Sequence, residues 1–203
     1  MPSDPTPRGG PRHSSRGRAR REEILDAALE VIAERGYRGA SLQAVAEKVG
    51  LTQQGLLHYF PTKEDLLIEV LRHRDRWDAG GDPERVVEHW TLAHFRLLNE
   101  LNAARPEVIR TFSALLGESV TEGHPAGPYF RDRYRTSRWR VEAVLRHEFG
   151  ERLPSGLTPA ETAPLLVAVM DGLQYQWLHE PEEFDLVASF DAFVRLLSGR
   201  GEQ

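Results

Sequence analysis

Gln53, Gln54, Gly55 and His58 follow Thr52 at a spacing that sets all four on the outward face of one short helix. Glutamine amides can pair with adenine through N6 and N7, and a helix N-terminus presented outward favours phosphate. The chemistry on offer is recognition rather than bond making. No nucleophile motif, phosphate loop or metal cluster is present, and the chain has no cysteine, which removes thiol, disulfide and Cys-zinc chemistry. His89, His94, His124 and His147 stand at no metal-ligand spacing. No metal, cofactor or catalytic residue is therefore expected.

A run of short helices carries these residues. From about Arg20, Ile24, Leu25, Ala28, Leu29 and Ile32 recur at helical spacing, and Gly36 can cap the run at its C-terminus. Ser41 can cap a second helix covering Leu42, Val45, Ala46 and Val49; Gly50 ends it, and Thr52 caps a third. Pro61 closes that one, and Thr62-Lys63-Glu64-Asp65 reads as a capping box with Asp in place of Glu, opening a fourth helix. Three short helices with a Gly-Leu connection between the second and third match a helix-turn-helix. Gly50 can take the positive φ that a tight turn needs, and Val45, Val49, Leu51, Leu56 and Leu57 supply apolar contacts within the unit. The same spacing also fits a plain helical hairpin.

Residues 20–67 resemble the N-terminal domain of the TetR family of transcriptional regulators. The resemblance runs through Tyr37-Arg38-Gly39-Ala40-Ser41, Val45-Ala46, Val49-Gly50-Leu51-Thr52 and Tyr59-Phe60-Pro61-Thr62-Lys63-Glu64-Asp65-Leu66. It implies that the helix capped by Thr52 enters the major groove of double-stranded DNA, with Gln53, Gln54 and Gly55 approaching base edges. By the same resemblance Ser41, Tyr59 and Lys63 meet phosphates. Gln54 stands where a glycine is common in the family, with Gly55 one place later. Leu57 stands where a tyrosine is usual, so that phosphate contact is absent and His58 and Tyr59 are placed to compensate.

Charge is divided unevenly along the chain. Residues 1–65 hold 10 Lys/Arg against 9 Asp/Glu, and the remainder 16 against 22. Within the first 21 residues Arg8, Arg12, Arg16, Arg18, Arg20 and Arg21 face only Asp4. Any phosphate-binding surface therefore lies at the N-terminal end. Residues 1–19, rich in Pro, Gly, Ser and Arg, are read as an arm disordered in isolation. The arm is either a solvated leader or a strand of positive charge that follows the minor groove or the backbone.

The expected class is all-α: a three-helix DNA-binding domain over 20–66 and a larger helical dimerisation and ligand-binding domain over 67–199. Further helices are expected over 83–103, 106–119, 128–149, 159–179 and 183–198, separated by Gly80-Gly81, Pro106, Gly123–Pro128, Pro154–Gly156 and Pro181. Leu166, Met170, Leu173 and Trp177, with Val187, Phe190 and Val194, could form half of a two-fold four-helix interface. The stretch from Met170-Asp171-Gly172-Leu173-Gln174 to Trp177-Leu178, with Glu180-Pro181-Glu182, resembles the C-terminal domains of the TetR subgroup related to choline-responsive repressors. Trp90, His94, Phe112, Tyr134, Trp139 and Gln174 are the candidates for an apolar pocket with a few orienting groups, although aromatics at helical spacing also serve as plain core.

The function these features point to is a homodimeric repressor on a palindromic operator, released by an apolar or amphipathic small molecule. The alternative is a DNA-binding regulator whose second domain only dimerises or binds a protein. No apolar run is long enough to span a membrane and no secretory leader is present, so the cytoplasm is the expected location.

Overall fold

The computed structural model describes residues 12–78 and 90–199. Among the described residues the chain forms nine α-helices and no strand: α1 (Arg12–Gly39), α2 (Leu42–Lys48), α3 (Gln53–Leu57), α4 (Lys63–Asp78), α5 (Leu92–Ala103), α6 (Pro106–Ser119), α7 (Gly127–Phe149), α8 (Pro159–His179) and α9 (Leu186–Leu197). None of them is long and apolar enough to cross a membrane.

The N-terminal boundaries follow local rules. Ser41 Oγ accepts the N–H of Ala44 at 3.1 Å, and Thr52 Oγ1 accepts that of Gly55 at 3.0 Å. Thr62 accepts the N–H of Asp65 at 3.0 Å and donates its hydroxyl to the Asp65 carboxylate at 2.8 Å. Each such cap stabilises its helix by about 1 kcal/mol. Gly50 makes the turn between α2 and α3 at φ 66°, a conformation that would strain any side chain bearing a Cβ.

Two N-terminal details differ from the expectation. Residues 12–19, assigned to the arm, continue α1 in the N-terminal direction, because extending an existing helix costs far less than nucleating one. Gly36 breaks α1 at φ 65°, ψ −175° rather than ending it, and the backbone re-enters a final helical turn before Ser41. Residues 1–11 lie outside the described residues, as do Gly80-Gly81 and residues 83–89 of the helix expected over 83–103. The described part of that helix starts at Leu92, behind an extended Thr91.

The core is laid out along the chain rather than by domain. One apolar cluster joins Ile24, Leu25, Ile32, Val45, Leu56, Phe60, Leu67 and Leu71 to Val108, Phe112 and Leu115 of α6 and to Tyr129 and Phe130 of α7. It runs straight across residue 66, so α1 lies on α6 as firmly as on its own unit. A second cluster packs Trp90 and Phe95 against Val141, Val144 and Leu145 of α7, Leu166 of α8 and Phe190 of α9. A small third cluster holds Ile109, Trp177 and Leu186.

Candidate DNA-binding face and interior cavity

The sequence-assigned recognition residues fall at the starts of α2 and α4 and along and just after α3. Gln53 and Gln54 are exposed on α3 and His58 at its C-cap, Ser41 and Thr52 are exposed at the helix starts, and Gly55 and Lys63 are half-buried. Caps occupy acceptor lone pairs on the Ser41 and Thr52 hydroxyls, which leaves each O–H hydrogen to donate outward. No acidic side chain stands in the first turn of α2 or α3, so nothing there repels a phosphate. Gly55 is closely packed: a Cβ there would lie 3.3 Å from Thr52 Oγ1. Tyr59 is partly buried, its ring packed on the core beneath.

Long-range polar contacts hold this face rigid. Arg20 donates to the carbonyl of Val49 at 2.6 Å, satisfying the end of α2. Arg21 lies 4.7 Å over the Phe60 ring and pairs with Glu69 of α4 at 2.8 Å. Lys48 bridges Glu30 and Glu34 of α1 at 2.9 and 2.8 Å. Buried His73 of α4 meets Asp26 of α1 at 2.8 Å. Two of the six N-terminal arginines are therefore structural. Arg18 is exposed and open to the arm's reading, whereas Arg8 and the side chains of Arg12 and Arg16 lie outside the described residues.

A cavity of about 120 Å³ is lined by Trp90 and by residues of α4, α5, α6, α7 and α8. Of the residues assigned to a pocket, Trp90, Phe112, Tyr134 and Gln174 stand on its wall. His94 does not line it: its Nδ1 accepts the N–H of Thr91 at 2.9 Å and caps α5, while the ring stacks on Trp90. Trp139 is 53% exposed on the outer side of α7, since its place in the helical repeat is opposite the wall residues Arg133, Ser137 and Arg140. The last three, with Arg74, Asp75 and Asp171, are among the wall residues that the sequence reading passed over. In sequence the arginines and aspartates among them look like ordinary solvated charges, and Ser137 like a solvated hydroxyl.

The charges form a network. Asp75 of α4 is ion-paired with Arg133 of α7, takes the hydroxyl of Tyr129 at 2.9 Å and lies 3.4 Å from Arg74. Burial alone would raise the Asp75 carboxyl; the Arg133 and Arg74 charges outweigh that and hold it below the ordinary value. Asp171 of α8 accepts the Tyr134 hydroxyl at 2.7 Å, yet burial wins there and pushes its carboxyl up. Gln174 donates to Ser113 Oγ at 3.3 Å and faces Asn102 at 3.5 Å. Among the described residues no group of three or more His, Asp or Glu is placed to hold a metal ion.

The residues assigned to a subunit interface divide into two sets. Leu166, Trp177 and Phe190 are buried in the chain's own core, at 0, 7 and 1% exposure, and so are not free to meet a second chain. Because α8 is apolar on most sides, its composition does not reveal which side turns inward. Met170, Leu173, Val187 and Val194 are half-buried. One stripe of α8 instead carries Leu165, Ala168, Gly172 and Tyr175, and one stripe of α9 carries Ala188, Ala192 and Leu196, with Leu196 77% exposed.

Comparison with known proteins agrees with this geometry. The profile of bacterial regulatory proteins of the tetR family matches residues 24–70, and that of the C-terminal part of BetI-type transcriptional repressors matches residues 88–197. The HTH-type transcriptional regulator BetI of Paraburkholderia phytofirmans is 28% identical over 176 residues, 84% of this chain and 87% of that protein. BetI of Burkholderia mallei is 30% identical over 165 residues, 78% of this chain and 80% of its own length. Among solved structures, a transcriptional regulator from Rhodococcus sp. Rha1 superposes with a TM-score of 0.66 at 26% identity, covering 87% of this chain and 95% of that one. The chain belongs to the TetR family of bacterial regulatory proteins and is a helix-turn-helix DNA-binding transcriptional regulator related to BetI.

Proposed function

We propose that the protein is a homodimeric repressor that binds a palindromic operator through Ser41, Thr52, Gln53, Gln54, Gly55, His58, Tyr59 and Lys63, and that a small molecule in the interior cavity releases it. The observation that carries this reading is the course of α4. Its first residue, Lys63, belongs to the proposed DNA-contacting set, and twelve residues on, about 18 Å along the axis, Asp75 and its neighbour Arg74 form part of the cavity wall. Phe112 adds a second link, because it lines the cavity and also belongs to the core of the N-terminal unit. A ligand that rearranges the Asp75–Arg133 pair therefore acts directly on the helix that aims the recognition face. Such a ligand shifts the population of head positions by its differential affinity for them.

The second copy pairs through these stripes of α8 and α9, Leu165, Ala168, Gly172, Tyr175, Ala192 and Leu196. Small residues at Ala168 and Gly172 let two helices approach closely, and Leu165 and Leu196 supply apolar area that is solvated in the single chain. Two heads joined this way read two half-sites in adjacent turns of the major groove. Footprinting on the DNA upstream of its own gene, at low salt, tests the reading: two protected half-sites related by a dyad are expected. A single protected half-site, or failure to bind, overturns it. Leu165→Glu should yield a monomer by sedimentation and lose dyad protection.

A further inference from the structure

We propose, building on the ligand-released repressor just described, that the cavity takes an anionic amphiphile, a carboxylate on a small aryl or alkyl body, and that Arg140 is the group that binds its charge.

The charges on the wall do not balance. Three guanidinium groups, Arg74, Arg133 and Arg140, face two carboxylates, Asp75 and Asp171. Asp75 serves both Arg74 and Arg133, and Asp171 is engaged by the Tyr134 hydroxyl. Among the described residues no carboxylate pairs with Arg140, and its Nε is buried without a hydrogen-bond acceptor. A buried, unsatisfied donor on a charged group is costly, and burial accordingly pushes the Arg140 guanidinium below its ordinary pKa. An anion entering the cavity supplies both the missing charge and the missing acceptor, and the planar guanidinium suits a carboxylate.

The surroundings set the rest of the ligand. Arg133, Ser137 and Arg140 recur on one face of α7, so a hydroxyl stands one turn from the open guanidinium. Val141 beside them on α7, with Phe95, Val167 and Met170 of the neighbouring helices, offers an apolar surface for the body of the molecule. A cationic ligand is disfavoured by the same geometry. The guanidinium of Arg140 sits 5.7 Å over the Trp90 ring, the face on which an ammonium group would settle, and two more guanidinium groups stand on the same wall. The size, about 120 Å³, suits a body near that of benzene, which a dry engineered cavity of roughly 150 Å³ accommodates.

Calorimetric titration of the full-length protein, without DNA, with two matched sets separates the possibilities. One set is phenylacetate, 2-phenylethanol and 2-phenylethylammonium; the other is hexanoate, 1-hexanol and hexylammonium. In at least one set the carboxylate should bind about tenfold or more tighter than its alcohol, with the ammonium weakest. Arg140→Gln should lower carboxylate affinity about tenfold while leaving the alcohol unchanged; Arg140→Lys should fall between, and carries the test if Arg140→Gln does not fold. Equal or tighter binding of the alcohol or ammonium overturns the proposal, as does unchanged carboxylate binding in the Arg140 variants. So does the absence of any binding by a folded protein that still holds its operator. Because ligand binding is read without DNA, a carboxylate that binds and fails to release the operator leaves this proposal standing and removes the induction reading instead.

Discussion

The helix starts of the N-terminal unit and the cavity wall satisfy their polar groups at opposite ranges along the chain. In the unit the bonds that shape the backbone close locally: Ser41 to Ala44, Thr52 to Gly55 and Thr62 to Asp65 each span three residues. On the wall they close across the chain, Tyr134 to Asp171 over 37 residues, Tyr129 to Asp75 over 54 and Gln174 to Ser113 over 61. Local bonds form whenever the segment folds, whereas long-range ones exist only after five helices have assembled. The first region is therefore a fixed tool, and the second is an arrangement that can be rebuilt when a ligand arrives.

The largest effect should come from breaking the wall at its centre. Asp75→Ala leaves Arg133 and Arg74 without their shared carboxylate and should cost about 3 kcal/mol or more in urea unfolding; a loss below about 1 kcal/mol would mean that solvent already serves these arginines.

The two wall carboxylates offer a sharper test, because their environments push them in opposite directions from the ordinary 3.8. Asp75 is held low, so the stability it contributes is present above pH 3.8 and is lost as pH falls through its depressed value. Asp171 is raised, so folding becomes less favourable as pH climbs from 3.8 through its elevated value. In stability–pH curves Asp171→Asn should flatten the limb above pH 3.8 and Asp75→Asn the limb below it. Parallel changes in the two variants would contradict these assignments.

In the N-terminal unit smaller, additive effects are expected. Gly50→Ala meets no atom within 4 Å, so it should cost only the backbone strain of a positive φ, about 1 kcal/mol. Thr52→Ala should cost about 1 kcal/mol by loss of its cap; the two sit on the same turn, and a double mutant departing strongly from the sum would show that they are coupled. The smallest change in stability should belong to Lys63→Ala, whose readout is instead the salt dependence of operator binding. The slope should fall by about one charge; an unchanged slope would remove Lys63 from the phosphate contacts.

The same contrast explains what could be read from the amino-acid order. Caps, Gly50 and the exposed side of α3 are decided within a few residues, so the helix-turn-helix is legible. Arg20 and Arg21 misled, because nothing in their neighbourhood announces that Val49 and Phe60 will claim them. Trp139 and Arg140 are adjacent on α7, and only the packing of that helix decides that the arginine faces inward and the tryptophan outward. His94 looked like an orienting group and is spent on a helix start. Leu166, Trp177 and Phe190 were ambiguous because an interior residue and an interface residue have the same apolar character.

The apolar cluster that crosses residue 66 limits how such a regulator can be taken apart. A fragment cut there would part Leu56 and Phe60 from Val108, Phe112, Leu115 and Phe130, baring half of a single core on each piece. The reading head is thus not a cassette that can be grafted onto a foreign sensor. Heating should melt head and sensor in one calorimetric transition, and a ligand bound far from the DNA should raise the melting temperature of both together.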